Sequence, residues 1–530
     1  MSLAESPPQV VVKSSDRISP SPPPTAIRTI PLSIIDATVL NFSPCAAVWF
    51  FDASPSPDSA PSPTLLKSAL KQTLVFYSEW CGQLQRTPYN PKGHHSERYG
   101  RLQIVLNPPL NPGVELVHAE ASVSLAWIVP GVINRAVGGL RAWNAVSLSS
   151  MQLLPTIALA SEKIDDPAGR PCLAVQLTTF ACGGTAIGIK LAHPLADAIA
   201  LGCFARDWAN ATRQLLDHQP PRTCIPIFAP QLLDREAAGD IDAPNPDLKL
   251  LEIARALPLH RYDWWASVNG CPFDPDATKI PEELDPKTIG PPDTVMPWAE
   301  WDVAAPVSHY VLHFTGLELT RIWQEASSEA APVSRTEALL AHLWGCINLA
   351  RGLEEDEKPV HLDVSLGLRS RLGMSPKFIG SFIMIADVAS TASRVCKDSL
   401  ATKAAQLRST LAKFDASAVA TCLHSAAYEV SPQRLWQAFL GKRHTLVTSW
   451  VHSNVHDVDF GFGSPPRYVE AAMPNVDGLV AVIEAPAGSP TGERRGHWSD
   501  DGIDVSISLE VKAMKKFLED EHLWKYGTKY

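Results

Sequence analysis

The chain contains no apolar run approaching the roughly 20 residues that a membrane-spanning helix needs. Its Pro-, Ser- and charge-rich opening, up to Thr25, lacks the hydrophobic segment of a secretory signal. The 10 cysteines form no Cys-x-x-Cys pair and no regular framework. They read as scattered thiols in a reducing compartment, and a cytoplasmic location is the expectation. Positive charge is in deficit: 46 Lys and Arg against 56 Asp and Glu leave a net charge of −10, with no basic cluster interleaved with aromatics. Nucleic acid is therefore not an expected partner. No P-loop, Gly-x-Ser-x-Gly elbow or His-Glu-x-x-His occurs. Gly461-Phe462-Gly463-Ser464-Pro465-Pro466 is no dinucleotide loop, because the third Gly is missing and two prolines oppose a helix start. No internal repeat is visible, and the terminal Gly-Thr-Lys-Tyr carries no peroxisomal or lipidation signal.

What is present is the material of a large packed globule. With 530 residues, 45% of them apolar and 15 of them Trp, the chain can build two domains with ample cores. Leu173 to Phe180 and Thr185 to Leu191 are apolar and β-branched, and Cys182-Gly183-Gly184 joins them as a turn. They place His193 at a strand end. Leu195, Ile199, Phe204 and Trp208 then follow at near-helical spacing, and Pro194 suits a first helical position. Asp197 thus falls in the first turn, where the helix dipole favours a carboxylate. An imidazole and a carboxylate at such a break suit general-base catalysis. Asp197 either buttresses His193 as in a triad or pins the junction by pairing with a cation. Taken alone, the spacing arises often by chance.

A second motif, Asp459-Phe460-Gly461-Phe462-Gly463, follows a strand-like run from His444 to Val451. Together the two resemble the BAHD family of CoA-dependent acyltransferases, which carries His-x-x-x-Asp-Gly and Asp-Phe-Gly-Trp-Gly in this order. Leu74-Val75-Phe76-Tyr77 with Gly82-Gln83-Leu84, Phe180 to Gly184, Leu368-Arg369-Ser370-Arg371-Leu372, Thr448-Ser449-Trp450 and the tail from Ile503 to Glu510 also look like segments of that family. The general pattern looks closest to its fungal branch, typified by trichothecene 3-O-acetyltransferases. Three departures stand out: Ala198 replaces Gly, Phe462 replaces Trp, and Gly380-Ser381 stands where Gly-Asn is common. None removes a proton-transfer group, and Phe462 keeps an aromatic plug while losing an indole N–H.

The resemblance implies an α/β (α+β) fold of two similar chloramphenicol-acetyltransferase-like domains, with mixed sheets flanked by helices and a solvent channel between them. It also implies direct transfer of an acyl group, acetyl by expectation, from acyl-CoA to a hydroxyl of a small hydrophobic secondary metabolite. His193 is then the general base, and Asp197 forms a salt bridge to Arg369 that shapes the site. Thr448 and Trp450 match positions implicated in oxyanion stabilisation, while Asp459, Gly461 and Gly463 support the second motif's loop. A polyanionic co-substrate needs local cations in an acidic chain, and Lys442, Arg443, Arg371 and Lys377 are the candidates, though a solvated surface charge is the preferred reading of any one of them taken singly. No tightly bound cofactor and no metal is expected, and a monomer is. N-acyl transfer, a condensation-type enzyme of the same fold and an inactive binding homologue are the alternatives. Condensation domains usually carry a second His where Ala192 stands, an inactive homologue would be expected to lose His193, and a hydrolase would need a nucleophile that the sequence does not offer.

The expected organisation is a disordered tail over 1–25, an N-terminal domain over 26–215, an extended crossover linker over 216–305 and a C-terminal domain over 306–530. Helices are expected over Leu65 to Trp80 and Thr336 to Ala350, the latter opened by a capping box of Ser334 and Glu337 and stopped at Gly352. Leu479 to Ile483 reads as a buried strand and Val505 to Leu509 as an alternating one. In the crossover, Tyr262, Trp264 and Trp265 form an aromatic knot too apolar to stay solvated. It either docks on a domain surface or walls the acceptor side of the channel. His452 and His456 on a strand would be roughly 13 Å apart, too far to share a metal with Asp457 or Asp459. His94-His95 reads as loop.

Overall fold

The computed structural model describes residues 9–527 apart from 57–59, 133–138, 146–149, 165, 167–168, 218–224, 267–269, 274, 291–292, 328–331 and 488–495. In the first half, the strands are β1 (Val10–Ile18), β2 (Arg28–Pro31), β3 (Cys45–Phe51), β4 (Gln83–Arg86), β5 (Leu102–Leu106), β6 (Val114–Ala121), β7 (Ala142–Asn144), β8 (Leu173–Phe180) and β9 (Thr185–Leu191). The crossover and second half add β10 (Tyr262–Asp263), β11 (Val307–Phe314), β12 (Pro359–Gly367), β13 (Ile383–Thr391), β14 (Leu435–Trp436), β15 (His444–Ser449), β16 (Tyr468–Ala471), β17 (Leu479–Glu484) and β18 (Ile503–Glu510).

Two mixed sheets carry the architecture, in the orders β1-β6-β8-β9-β3-β16 and β13-β12-β15-β17-β18-β11-β7. Each half lends a strand to the other. β16 pairs with β3 at the edge of the first sheet, and β7 pairs with β11 at the edge of the second. Helices α1 (Ile34–Thr38), α2 (Pro63–Thr73), α3 (Ala198–Leu216) and α4 (Arg335–Ala350) flank them. Trp49, Trp80, Phe204 and Trp208 centre one apolar core, and Phe314, Trp344 and Phe414 another. Among the described residues no helix is long and apolar enough to cross a membrane.

The strands flanking Gly183 and the capping-box helix form over the expected residues. Four expectations need correction. The stretch read as a disordered tail holds β1, whose ladder to β6 runs from Val10 opposite Ala121 to Ile18 opposite Val114. Most of its side chains are exposed; main-chain hydrogen bonds order it, and composition does not report those. The helix expected to reach Trp80 ends at Thr73. Beyond it the chain tightens so that Tyr77 packs on Trp80 and Phe204 and donates its hydroxyl to Asp207 at 2.7 Å. Third, α3 starts at Ala198 rather than Pro194. His193–Leu195 is a single 3₁₀ turn, Ala196 is extended, and Asp197 is the N-cap, accepting from Ala200 N at 3.0 Å. Finally, β18 alternates in sequence but not in burial. Its polar face is covered too: Asp504 meets His313, Ser506 donates to Glu470 on the exchanged β16, and Ser508 donates to Asn475.

Candidate active site

β9 delivers His193 to the seam between the halves. The turn that follows it leaves the imidazole half-buried, with Nδ1 3.0 Å from the Ser381 hydroxyl and Phe42 edge-on at 5.5 Å. Burial holds its pKa below the ordinary imidazole value, favouring the neutral ring that a base requires.

Ser381 is fixed from behind. Its N–H donates to Asp36 Oδ1 at 2.7 Å, and Asp36 also accepts from the Ser33 hydroxyl at 2.6 Å within the capping box of α1. Desolvation pushes the Asp36 carboxyl up to about 7. The preceding Gly380 has φ +146°, and a Cβ there would lie 2.9 Å from the Phe382 ring and 3.0 Å from Asp36 Oδ1. Only glycine fits that approach.

Asp197 faces Arg369 in an ion pair, both side chains being under a tenth exposed. Arg369 donates further to the carbonyls of Phe378 at 2.7 Å and Gly380 at 3.2 Å and lies over the Phe382 ring at 4.7 Å. Asp197 N in turn donates to Gly380 O at 3.1 Å. The pair thus clamps the start of α3, from the first half, to the segment that presents Ser381, from the second. Of the two roles left open for Asp197, this geometry is that of the pinned junction. A buried pair of this kind is costly to break.

A family model described as the Transferase family matches residues 8–257 and 308–523. The chain belongs to this family, the BAHD acyltransferases. It is a CoA-dependent acyltransferase. It is 28% identical over 530 residues to acyltransferase AFT15-1 of Alternaria alternata, covering 97% of each chain. F. sporotrichioides TRI101, solved with coenzyme A and T-2, superposes with a TM-score of 0.63 at 18% identity, over 94% of this chain and 99% of that one. Vinorine synthase does so with a TM-score of 0.61 at 18% identity, over 98% of each. These likenesses are to two-domain BAHD folds. The unmatched span, 258–307, holds the aromatic knot.

The second family motif packs against α3. Asp459 pairs with Arg213 of α3 and accepts from Gly461 N at 2.8 Å. Phe460 meets Trp208 edge-on at 4.9 Å, and Phe462 lies on Phe51 at 5.0 Å. Gly461 and Gly463 have φ of +95° and +89°, and a Cβ on Gly461 would fall 2.5 Å from Leu216. Trp450 is buried in the same core, whereas Thr448 is half-buried at the end of β15. Neither hydrogen-bonds His193 among the described residues.

The cationic candidates are dispersed. Arg443 is held by Asp356 at 2.5 Å and Glu300 at 3.2 Å, and Arg371 donates to the carbonyls of Leu411 and Phe414. Lys442 and Lys377 are exposed. Ion pairing thus removes Arg443 as a free phosphate partner. In the crossover, Trp264 stacks on Trp436 at 5.7 Å, Arg434 lies over Trp265 at 5.2 Å, and Tyr262 is buried against Phe439. The knot is docked on the second half. The residues just before it, Leu259 and Arg261, line a cleft with Val39, Phe42, Met384 and Glu429, next to His193 through Phe42. His456 Nε2 lies 2.7 Å from Glu484 O, and His452 faces solvent. His94 and His95 flank a short 3₁₀ turn, with His95 buried between Asp234 and Asp242.

Sequence reasoning passed over Asp36, Phe42 and Arg213, whose roles depend on contacts to Ser381, His193 and Asp459, each more than a hundred positions away. Ser381 carried a signal, as the departure after Gly380.

Proposed function

We propose that this enzyme transfers an acyl group, acetyl by preference, from acyl-CoA to a hydroxyl of a small hydrophobic secondary metabolite, with His193 as general base. The observation that carries the proposal is the half-buried imidazole, its pKa held below the ordinary value, whose Nδ1 is held by Ser381 beside a cleft lined by Val39, Phe42 and Met384. With Nδ1 engaged, Nε2 is the nitrogen left to accept a proton. An alcohol is a poor nucleophile at neutral pH, so its proton passes to Nε2 as its oxygen bonds the thioester carbon. The tetrahedral intermediate collapses with cleavage of the carbon–sulfur bond. The thiolate of CoA leaves and takes the proton back from the imidazolium, regenerating the neutral base. Thr448, half-buried at the strand end, is the oxyanion donor in this reading, and buried Trp450 packs behind it. Asp197, Arg369 and Asp36 act through position: they fix α3 and Ser381, and with them the ring.

The cleft wall supports the hydrophobic acceptor of this reading. Arg261 is paired with Glu429 at 2.6 Å and Asp293 at 2.7 Å, and Ile35, Val39, Phe42, Leu259 and Met384 supply apolar surface beside it. Thiol release from acetyl-CoA, measured against a panel of terpenoid and polyketide alcohols and their amine counterparts, tests the proposal. Release dependent on an alcohol supports it. Release with amines alone would transfer the reading to N-acylation.

A further inference from the structure

Three histidines and two aspartates meet on one face of the second sheet, away from His193. β12 supplies His361 and Asp363, which alternate onto the same side. β13 supplies Asp387, directly opposite Asp363 in the antiparallel register, and β15 supplies His444, opposite His361 in the parallel one. The crossover lays His260 over them, anchored by Asp387 N donating to Pro258 O at 2.8 Å.

Two carboxylates directly opposite each other on paired strands repel. Here they also converge on one nitrogen: His260 Nε2 is 3.0 Å from Asp363 Oδ1 and 3.5 Å from Asp387 Oδ1. His361 Nδ1 lies 2.9 Å from the same Asp387 oxygen. Ligand atoms about 2.0–2.1 Å from a tetrahedral zinc are separated by roughly 3.4 Å, and the 3.5 and 2.9 Å spacings of His260 and His361 from Asp387 bracket that edge. Asp363 Oδ2 is separately engaged, by His444 Nδ1 at 3.0 Å and Phe439 N at 3.2 Å. This outer hydrogen bonding leaves Oδ1 to meet His260, in the way carboxylates behind metal-binding histidines are placed. Asp363 and His444 are essentially buried, while His361 and Asp387 are each 16% exposed, which gives an ion an entry path.

We propose that His260, His361 and Asp387 bind a divalent transition metal, zinc by its donor set, with solvent completing its shell and Asp363, held by His444, lying behind His260. The ion neutralises the facing carboxylates and staples the crossover to the second sheet. Leu259 and Arg261, on either side of His260, line the cleft beside His193, so the staple also fixes that wall. No local pattern announces it, since the ligands are scattered over more than a hundred positions.

The full chain, stripped with a chelator, is titrated with Co²⁺ and followed by visible absorption, then challenged with Zn²⁺. The proposal predicts tetrahedral cobalt bands saturating at about one equivalent and abolished by Zn²⁺. His361→Gln and Asp387→Asn, at the exposed edge, should lose those bands while keeping the wild-type circular dichroism spectrum. A featureless cobalt spectrum in the wild-type chain would leave a purely hydrogen-bonded network and overturn the proposal. So would cobalt bands that persist in both variants.

Discussion

Replacing Arg369 by Gln should damage stability and catalysis together. The change removes the ion pair to Asp197, the guanidinium's hydrogen bonds to Phe378 O and Gly380 O, and its contact over Phe382. It leaves a carboxylate that is 6% exposed without its cation. Breaking a buried pair in this way costs about 3–5 kcal/mol. Asp197→Asn strands the opposite charge, but Asn still caps α3, so the loss there is electrostatic and not helical. The double variant buries no uncompensated charge, and its cost should fall short of the summed singles by about 0.5–3 kcal/mol. Urea unfolding followed by tryptophan fluorescence reads this as the shift of the first transition, because a chain with two cores need not unfold in one step. Turnover should fall in both singles, since the segment carrying Ser381 loses its clamp. Additive single losses would refute the reasoning, for they would mean the two side chains do not meet.

Ser381→Ala removes the hydroxyl at His193 Nδ1; a hydrogen bond of about 1 kcal/mol translates to roughly a five-fold lower kcat, with KM for both substrates little changed. Asp36 titrates near 7 in the folded chain against an ordinary 3.8, so folding favours its protonated form. The stability it contributes is whole below about pH 4 and is lost as pH rises through 7; Asp36→Asn should flatten that part of a stability-versus-pH curve, and an unchanged slope would contradict the burial argument. Trp264→Ala opens the aromatic cluster formed with Trp436 and Trp298, lowering stability by about 3 kcal/mol while the acceptor KM holds. A raised acceptor KM with intact stability would place the knot in the channel wall.

What could be read in advance was local. The strands around Gly183, the capping box of Ser334 and Glu337, and the burial of Leu479 to Ile483 each depend on neighbours a few residues away, and each formed as expected. The partner of Asp197 was legible only through family resemblance, because Arg369 lies far along the chain. β1 was missed because its order comes from main-chain pairing. α3 began late because a capping carboxylate outweighed the preference of Pro194 for a first helical position. The alternation of β18 does not show that its polar face is covered, since nothing local says that β16 would cross over to meet it. Asp36, which holds the Ser381 backbone, sits in an unremarkable N-terminal helix, and only the fold reveals its contact with the residue behind the imidazole.

The central claim is that His193 removes the acceptor's proton. Its most direct test is thiol release from acetyl-CoA by His193→Ala with an accepted alcohol, alongside thermal unfolding of the same preparation. The account predicts turnover lower by about 10²–10⁴-fold with an unfolding midpoint close to wild type. Wild-type turnover in the properly folded variant would contradict it.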